Sequence, residues 1–257
     1  MSVALACTWR PHGELPRFRR LYPQLREAYA ALVIAVPAEV DPADLAAVRA
    51  LETHDGVLVV VPPDRTQTRY AAMQKTLETS ATHIHYADMD RLLRWVETRP
   101  AGWRQTVEAV PGADCLIIGR SQAALATHPQ ALQLTEAIVN AVFSHLLGKA
   151  VDLCSGTKGF SRRAVEFIIA HSSPGHWADA EWPMLLHRAG FKIDATFLDG
   201  LDWETADRHQ AQAADAETQR RLADAYDRNP NSWAFRAQIA FDIVREGLDA
   251  ATRPFET

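Results

Sequence analysis

Ile84-His-Tyr-Ala-Asp88-Met-Asp90, followed directly by Arg91-Leu-Leu-Arg-Trp95, is the stretch that decides the fold of this sequence. Its apolar first half is typical of a buried β-strand, and the apolar spacing after Asp90 predicts a helix. Two acids therefore stand where a strand ends and a helix begins. In open sheets that alternate strands with helices, ligands bind at this carboxyl end of the strands.

The first half of the chain repeats the same alternation, and after Ile118 the pattern becomes mainly helical, with predicted helices at Pro129–Leu147 and Arg162–Ala170. Amphipathic segments such as 44–54 and 66–79 predict helices between the strands, so the sequence predicts an α/β fold with a mostly parallel sheet flanked by helices. Ser155-Gly-Thr-Lys-Gly-Phe160 reads as a turn that leads into the next helix. The other apolar runs that predict strands are Val3–Cys7, Leu32–Val36, Gly56–Val61, Cys115–Ile118 and Phe191–Phe197.

Two polar helices are predicted after the last strand, at Gln210–Asp227 and Ser232–Ala251, separated by Asn229-Pro-Asn231. We therefore divide the chain into one α/β domain, residues 1–209, and a helical C-terminal extension, residues 210–257, packed on it.

Composition excludes several classes of protein. A chain of 257 residues that is 47% hydrophobic and 23% charged is typical of a compact soluble protein rather than a disordered one. Its net charge of −5 argues against nucleic-acid binding. The longest apolar stretch, Ala28–Pro37, is about half of what a membrane span needs, so we expect no transmembrane segment and a cytoplasmic location. Cys7, Cys115 and Cys154 are scattered and are expected to be core residues.

Asp88 and Asp90 are the strongest candidates for chemistry. In an extended chain they lie on the same side, where their oxygens could hold Mg²⁺ or Mn²⁺ against a diphosphate. Alternatively, Asp90 simply caps the helix that follows. Arg69, Lys75, Arg120 and Lys158 are candidates to neutralise a diphosphate or an anionic acceptor.

The order of these motifs resembles that of nucleotide-sugar glycosyltransferases of the GT-A fold, over about Val3 to His209. The resemblance is to family-2-like members. Those members carry acidic residues that recognise the nucleotide base at two places where this sequence has Thr8-Trp-Arg-Pro11 and Val61-Pro-Pro-Asp64. Upstream, the resemblance rests on Thr68-Arg69, which opens a helix before the Asp88-Met-Asp90 strand end. Downstream, the motifs that follow in order are Asp114, Gly119-Arg120, Asp152 to Arg162 with its Ser155-Gly156 turn, and Asp179-Ala-Glu181 ahead of Leu185 and Gly190.

This resemblance implies an enzyme, a hexosyltransferase that uses Mn²⁺ or Mg²⁺. It implies a UDP- or GDP-linked sugar donor and a small-molecule or lipid-linked acceptor, and it admits a homodimer. The metal ligands would be Asp88, Asp90 and His209, the last as in retaining phosphoglycerate glucosyltransferases. The donor would be bound by Asp64, Arg69, Asp88, Gly156 and Lys158, and the general base would be one of Asp179 and Glu181, with Asp179 preferred.

Other interpretations stay open at this stage. Asp64 is equally explained as a turn residue after two prolines, and Asp179 as a helix cap. The function is alternatively that of a nucleotidyltransferase, or of a non-catalytic binding protein that keeps the fold. No phosphate-binding loop, dinucleotide fingerprint, serine-hydrolase elbow or zinc-protease motif occurs in the sequence.

Overall fold

The predicted alternation of strands and helices is confirmed in a computed structural model, which describes residues 1–53, 56–175, 178–203 and 212–255. Within these residues, seven strands form one sheet in the order β3-β2-β1-β4-β6-β5-β7. All neighbours are parallel except β6, which is antiparallel to β4 and to β5. The strands are Val3–Thr8 (β1), Ala31–Ala35 (β2), Val57–Val60 (β3), His83–Asp88 (β4), Cys115–Arg120 (β5), Thr157–Ser161 (β6) and Ile193–Leu198 (β7).

Helices cover both faces of the sheet. They are Leu15–Ala28 (α1), Pro42–Arg49 (α2), Thr68–Thr76 (α3), Met89–Thr98 (α4), Pro100–Ala109 (α5), Gln122–Leu125 (α6), Gln130–Leu147 (α7), Arg162–His171 (α8), Ala178–Arg188 (α9), Ala216–Asp227 (α10) and Pro230–Thr252 (α11). Two large apolar clusters fill the spaces between these helices and the sheet. Within the described residues, no helix is both long and apolar enough to cross a lipid bilayer.

Strand β6 corrects one sequence prediction, because residues 157–160 were expected to belong to a turn. Lysine and glycine disfavour strands, but here tertiary packing outweighs propensity, since every residue of β6 is buried. Gly159 lies against Val110, and a Cβ at Gly159 would come within 3.0 Å of the Val110 side chain. Glycine therefore permits a close approach that a larger residue would prevent.

The register of the strands places several of the expected site residues at one edge of the sheet. In the parallel pairing of β1 with β4, the last pair is Thr8 with Asp88. Strand β2 pairs with the other side of β1 and ends at Ala35. The carboxyl ends of these three strands, and the loops that follow them, therefore meet at one edge of the sheet.

The C-terminal helices are confirmed, and α11 packs closely on α7 and α9. At Gly247, an added Cβ would lie 2.2 Å from the Phe143 ring and 2.7 Å from Ala180. Ile243 and Ala250 of the same helix are buried. Helix α11 thus completes the core on this face, and a domain boundary at residue 209 stays a prediction.

A buried chain of hydrogen bonds crosses the core beneath β4. Thr157 donates its one hydroxyl proton to the Tyr86 carbonyl (2.9 Å), so it accepts from His85 Nε2 (2.8 Å). His85 Nδ1 then accepts from the Tyr29 hydroxyl (2.6 Å), whose oxygen accepts from Trp103 Nε1 (3.0 Å). The imidazole is neutral in this arrangement, and burial lowers the pKa of His85 to about 3. The three cysteines are buried, as expected.

We expect His85 to make the free energy of unfolding depend on pH. Its folded pKa of about 3 lies below the ordinary value of 6.5, so the unfolded chain takes up the proton first as pH falls. The contribution of neutral His85 to the free energy of unfolding is therefore complete above pH 6.5. It is lost as the pH falls toward 3, with a slope of about 1.4 kcal/mol per pH unit.

Urea unfolding of the parent and of His85→Gln at neutral pH and near pH 4.5 measures this effect. The stability advantage of the parent should shrink by about 2–3 kcal/mol over that range. His145→Gln, at an exposed position on α7, serves as the matched control and should follow the parent. A gap between parent and His85→Gln that does not change with pH would contradict the assignment.

Candidate functional site

A cleft of about 710 Å³ opens at the carboxyl ends of β1, β2 and β4. Its walls come from the loops that follow β1 and β2, from the starts of α3 and α4, and from the turn before β6. Helices α9 and α11 also contribute side chains to the wall. The cleft therefore lies where the sequence predicted a ligand site.

Asp88 is the last residue of β4, and its carboxylate is held in one orientation. Its Oδ1 accepts hydrogen bonds from the Tyr86 hydroxyl (2.7 Å) and from Thr8 Oγ1 (3.0 Å). Its Oδ2 lies 3.4 Å from the Arg69 guanidinium. Although Asp88 occupies the position before α4, its side chain makes no capping hydrogen bond. The carboxylate is thus oriented by β1 and β4 rather than by the helix it precedes.

Asp90 lies in the first turn of α4 and lines the same cleft. The side chain is exposed on the cleft surface, and desolvation by the surrounding residues together with the like charge of Asp88 raises the pKa of its carboxyl, with Arg91 acting in the opposite direction. Two neighbouring carboxylates that repel each other, with hard oxygen donors, fit a divalent cation such as Mg²⁺ or Mn²⁺. His209, the third expected ligand, lies outside the described residues, and no group of three metal-ligating side chains occurs in the described part of the chain.

Gly156 shapes the floor of the carboxylate site. It has a φ of +78°, in the left-handed region that favours glycine. A Cβ at this position would lie 2.7 Å from Asp88 Oδ2. The turn before β6 therefore comes this close to Asp88 only because its residue has no side chain.

Arg69 and Asp179 of the cleft wall form an ion-pair group with the buried Lys158. Arg69 Nη1 lies 2.5 Å from Asp179 Oδ2, and Lys158 Nζ lies 3.5 Å from Asp179 Oδ1. Burial alone would raise the pKa of Asp179, but Arg69 and Lys158 outweigh it and hold the pKa below its usual value. Asp179 is therefore ionised, with a cation at each oxygen.

Four other candidates have different surroundings. Glu181 accepts from the Ser173 amide and pairs with Arg253, away from the cleft wall. Asp64 is exposed and caps a short turn through the Thr66 amide, at 2.8 Å. Lys75 pairs with Glu78 on the surface, and Arg120 is buried between Asp152 and Glu136.

Several residues of the cleft were missed by sequence reasoning. Glu14 and Glu39 follow the first two strands, so the same strand-end argument that selected Asp88 could have found them. Phe235 and Arg236 also line the cleft, with Arg236 paired to Glu136. They belong to α11, and nothing in the sequence indicates that this distant helix reaches the site.

No protein-family model and no curated protein matches the sequence. Solved structures do match by fold. Glucosyl-3-phosphoglycerate synthase from Mycobacterium tuberculosis, in complex with Mn²⁺, UDP and phosphoglyceric acid, is 13% identical with a TM-score of 0.58, over 98% of this chain and 79% of that chain. Its complex with Mn²⁺, UDP-glucose and phosphoglyceric acid is 14% identical, with a TM-score of 0.57 over 98% and 80%. A solved structure described as a mycobacterial protein is 13% identical with a TM-score of 0.59, over 98% of this chain and 75% of that chain. The chain therefore has the GT-A fold that the sequence predicted.

Gly156→Ala should damage the carboxylate site beyond its cost in stability. Gly148 is a matched control, because its φ of +65° is also left-handed and no described atom lies within 4 Å of an added Cβ. Alanine at either position costs about 1 kcal/mol in backbone strain. Only at Gly156 does the new methyl group displace Asp88.

Urea unfolding and Mn²⁺ titration followed by electron paramagnetic resonance separate the two effects. Both variants should lose the stability that backbone strain costs, Gly156→Ala should lose somewhat more because Asp88 has to move, and only Gly156→Ala should bind Mn²⁺ more weakly than the parent. Parent-like Mn²⁺ affinity in Gly156→Ala would show that the contact with Asp88 does not matter.

Proposed function

We propose that this protein is a divalent-metal-dependent glycosyltransferase that transfers a hexosyl group from a nucleoside diphosphate sugar. The observation that carries the proposal is the position of Asp88. Its carboxylate stands at the end of β4, oriented by Thr8 and Tyr86, with Asp90 beside it and Arg69 on its other side. Paired carboxylates next to a guanidinium suit a metal-bound diphosphate. The solved structures of the same fold that contain Mn²⁺ with UDP or UDP-glucose support the same conclusion.

Asp88 and Asp90 are the proposed metal ligands, and His209 stays a predicted third ligand. A bound metal would stabilise the negative charge that develops on the departing diphosphate. Around it, Arg69 and Lys158 provide fixed positive charges that need little rearrangement during the reaction. Mn²⁺ is the first choice and Mg²⁺ the alternative.

The two ends of the cleft suit the two substrates. Glu14 and Glu39 lie near the carboxyl ends of β1 and β2 and offer carboxylate acceptors for a nucleoside. The α11 side combines Phe235 and Ile239 with the Arg236 guanidinium, and we propose that the acceptor binds there. A UDP-linked donor and a small-molecule acceptor are the first choices, with GDP-linked donors and lipid-linked acceptors as alternatives.

Asp179 has a different proposed role from the general base that the sequence favoured. A base is most effective when its pKa lies near the working pH. The pKa of Asp179 lies below its usual value and its oxygens face Arg69 and Lys158. We therefore propose that Asp179 holds these two cations toward the donor.

Release of the sugar from a panel of nucleoside diphosphate sugars tests the function without an acceptor. We expect slow, metal-dependent hydrolysis of one donor, and Asp88→Asn and Asp90→Asn should each reduce it at least tenfold, since each removes one anionic metal ligand. Asp224→Asn, at an exposed position on α10, is the control and should behave as the parent.

Other outcomes identify the alternatives. Nucleotide binding without hydrolysis of any donor, even with acceptors added, would indicate a non-catalytic binding protein. Incorporation of a nucleotide from a nucleoside triphosphate, with release of pyrophosphate, would indicate a nucleotidyltransferase. The carboxylate variants then show whether the same site is responsible.

Asp179→Asn distinguishes the two roles of this residue. If Asp179 holds Arg69 and Lys158, the variant should raise the KM for the donor more than it lowers kcat, because the cations lose their anchor. If Asp179 is the base, kcat should fall by about 10²–10⁴ with near-normal donor KM. Steady-state kinetics decides between them, and NMR of the product gives the anomeric configuration. Glu181→Gln serves as a second variant on the same helix and should affect stability rather than kcat.

A further inference from the structure

His128 makes an unusual contact with a cation of the cleft. It is 2% exposed, and its Nδ1 lies 3.1 Å from the Ala124 carbonyl oxygen. A carbonyl only accepts, so Nδ1 carries the proton. The other nitrogen, Nε2, is then free to accept, and Arg91 Nη1 lies 3.1 Å from it. Burial, together with the charges of Arg120 and Arg91, holds the pKa of His128 well below its usual value, so the ring is neutral.

This neutral partner distinguishes Arg91 from three other partly or fully buried cations, of which Arg69 and Arg236 line the cleft and Lys158 is buried beside it. Arg69 and Lys158 pair with Asp179, and Arg236 pairs with Glu136. Among the residues that the structure describes, no carboxylate oxygen lies within ion-pair distance of Arg91. An imidazole holds the guanidinium in place without cancelling its charge, whereas a carboxylate would cancel it. Asp90 acts on the charge of Arg91 only from beyond ion-pair distance, so the N–H groups of Arg91 that do not face His128 are available to an anion.

The position of Arg91 is unfavourable for stability alone. It lies in the first turn of α4, where the helix dipole favours negative rather than positive side chains. Its Cδ lies 3.4 Å from the point that a Cβ at Gly156 would occupy, and that point is 2.7 Å from Asp88 Oδ2. The side chain thus runs beside the carboxylate site, where the metal and diphosphate are expected.

We propose that Arg91 binds the diphosphate of the nucleotide donor, and that His128 is its positioning residue. This inference rests on the proposed function, because the anion it names is the diphosphate of that donor. Arg91 donates its remaining N–H groups to phosphate oxygens while His128 fixes the guanidinium from behind.

Calorimetric titration with UDP and with UMP, in the presence of Mn²⁺, tests the role of Arg91. Arg91→Gln should weaken UDP binding by about tenfold or more, as expected for loss of a charge-assisted hydrogen bond. UMP binding should weaken less, because UMP has one phosphate group fewer. Arg245→Gln, which removes an exposed guanidinium of α11, is the control and should bind UDP as the parent does. Parent-like UDP affinity in Arg91→Gln would overturn the proposal.

Variants of His128 test the positioning role separately from stability. His128→Gln keeps an acceptor near the Nε2 position and should retain UDP affinity within a few-fold of the parent. His128→Phe fills the space without an acceptor and should weaken UDP binding, yet it should have no further effect when Arg91 is already Gln. If His128→Phe and His128→Gln lose UDP affinity equally, or if His128→Phe weakens UDP binding further in the Arg91→Gln background, His128 acts through packing alone.

Failure of the proposed function gives a different pattern from failure of this inference. If the parent binds neither UDP nor GDP, the proposed function is contradicted, and inorganic pyrophosphate with Mn²⁺ becomes the probe. Weaker pyrophosphate binding by Arg91→Gln than by the parent would still support an anion-binding Arg91. A parent that does not bind pyrophosphate would overturn this inference as well.

Discussion

The parallel pairing of β1 with β4 is the constraint on which the rest of the site depends. It places the Thr8 hydroxyl beside Asp88, and both residues end their strands at the same height. Because β1 is central to the parallel part of the sheet, the loops after β1, β2 and β4 all open on the same edge. A carboxylate with one oxygen bound by two hydroxyl groups has little freedom, so its second oxygen keeps a fixed direction into the cleft.

Most buried charges in and beside the cleft are neutralised by ion pairs with an opposite charge. Arg69 and Lys158 face Asp179, while a second buried group joins Arg120 to Asp152 and Glu136. Buried ion pairs of this kind contribute little net stability, because desolvation offsets the attraction between the charges. Their value lies in geometry, since each removes rotational freedom from a long side chain. The second group also fixes the end of β5 to the segment that leads into β6.

Sequence patterns predicted most strands of the sheet, and they selected the strand-end acids of the candidate site, for physical reasons. Buried parallel strands require continuous β-branched runs, and acids directly after such a run are easily recognised, as with Asp88 and Asp90. The strand at Thr157–Ser161 was not predicted, because lysine and glycine have low strand propensity. The reason for glycine at position 159 is its close packing against Val110, which is visible only in the structure. Glu181 follows Asp179 by two residues on α9, and residues so spaced point about 200° apart. The contribution of α11 depends on long-range packing, which no local pattern encodes.

The place of β6 in the sheet imposes an order on folding during synthesis. In the part of the chain that the structure describes, β1 to β4 come from the first 88 residues, whereas β6, at residues 157–161, is the strand that joins β4 to β5. Until Ser161 has left the ribosome, β4 presents an unpaired edge to its surroundings. At ordinary rates of translation this interval lasts roughly 4 to 15 s. The edge of β4 in the nascent half-sheet is therefore open to pairing with other chains for longer than many small domains take to fold.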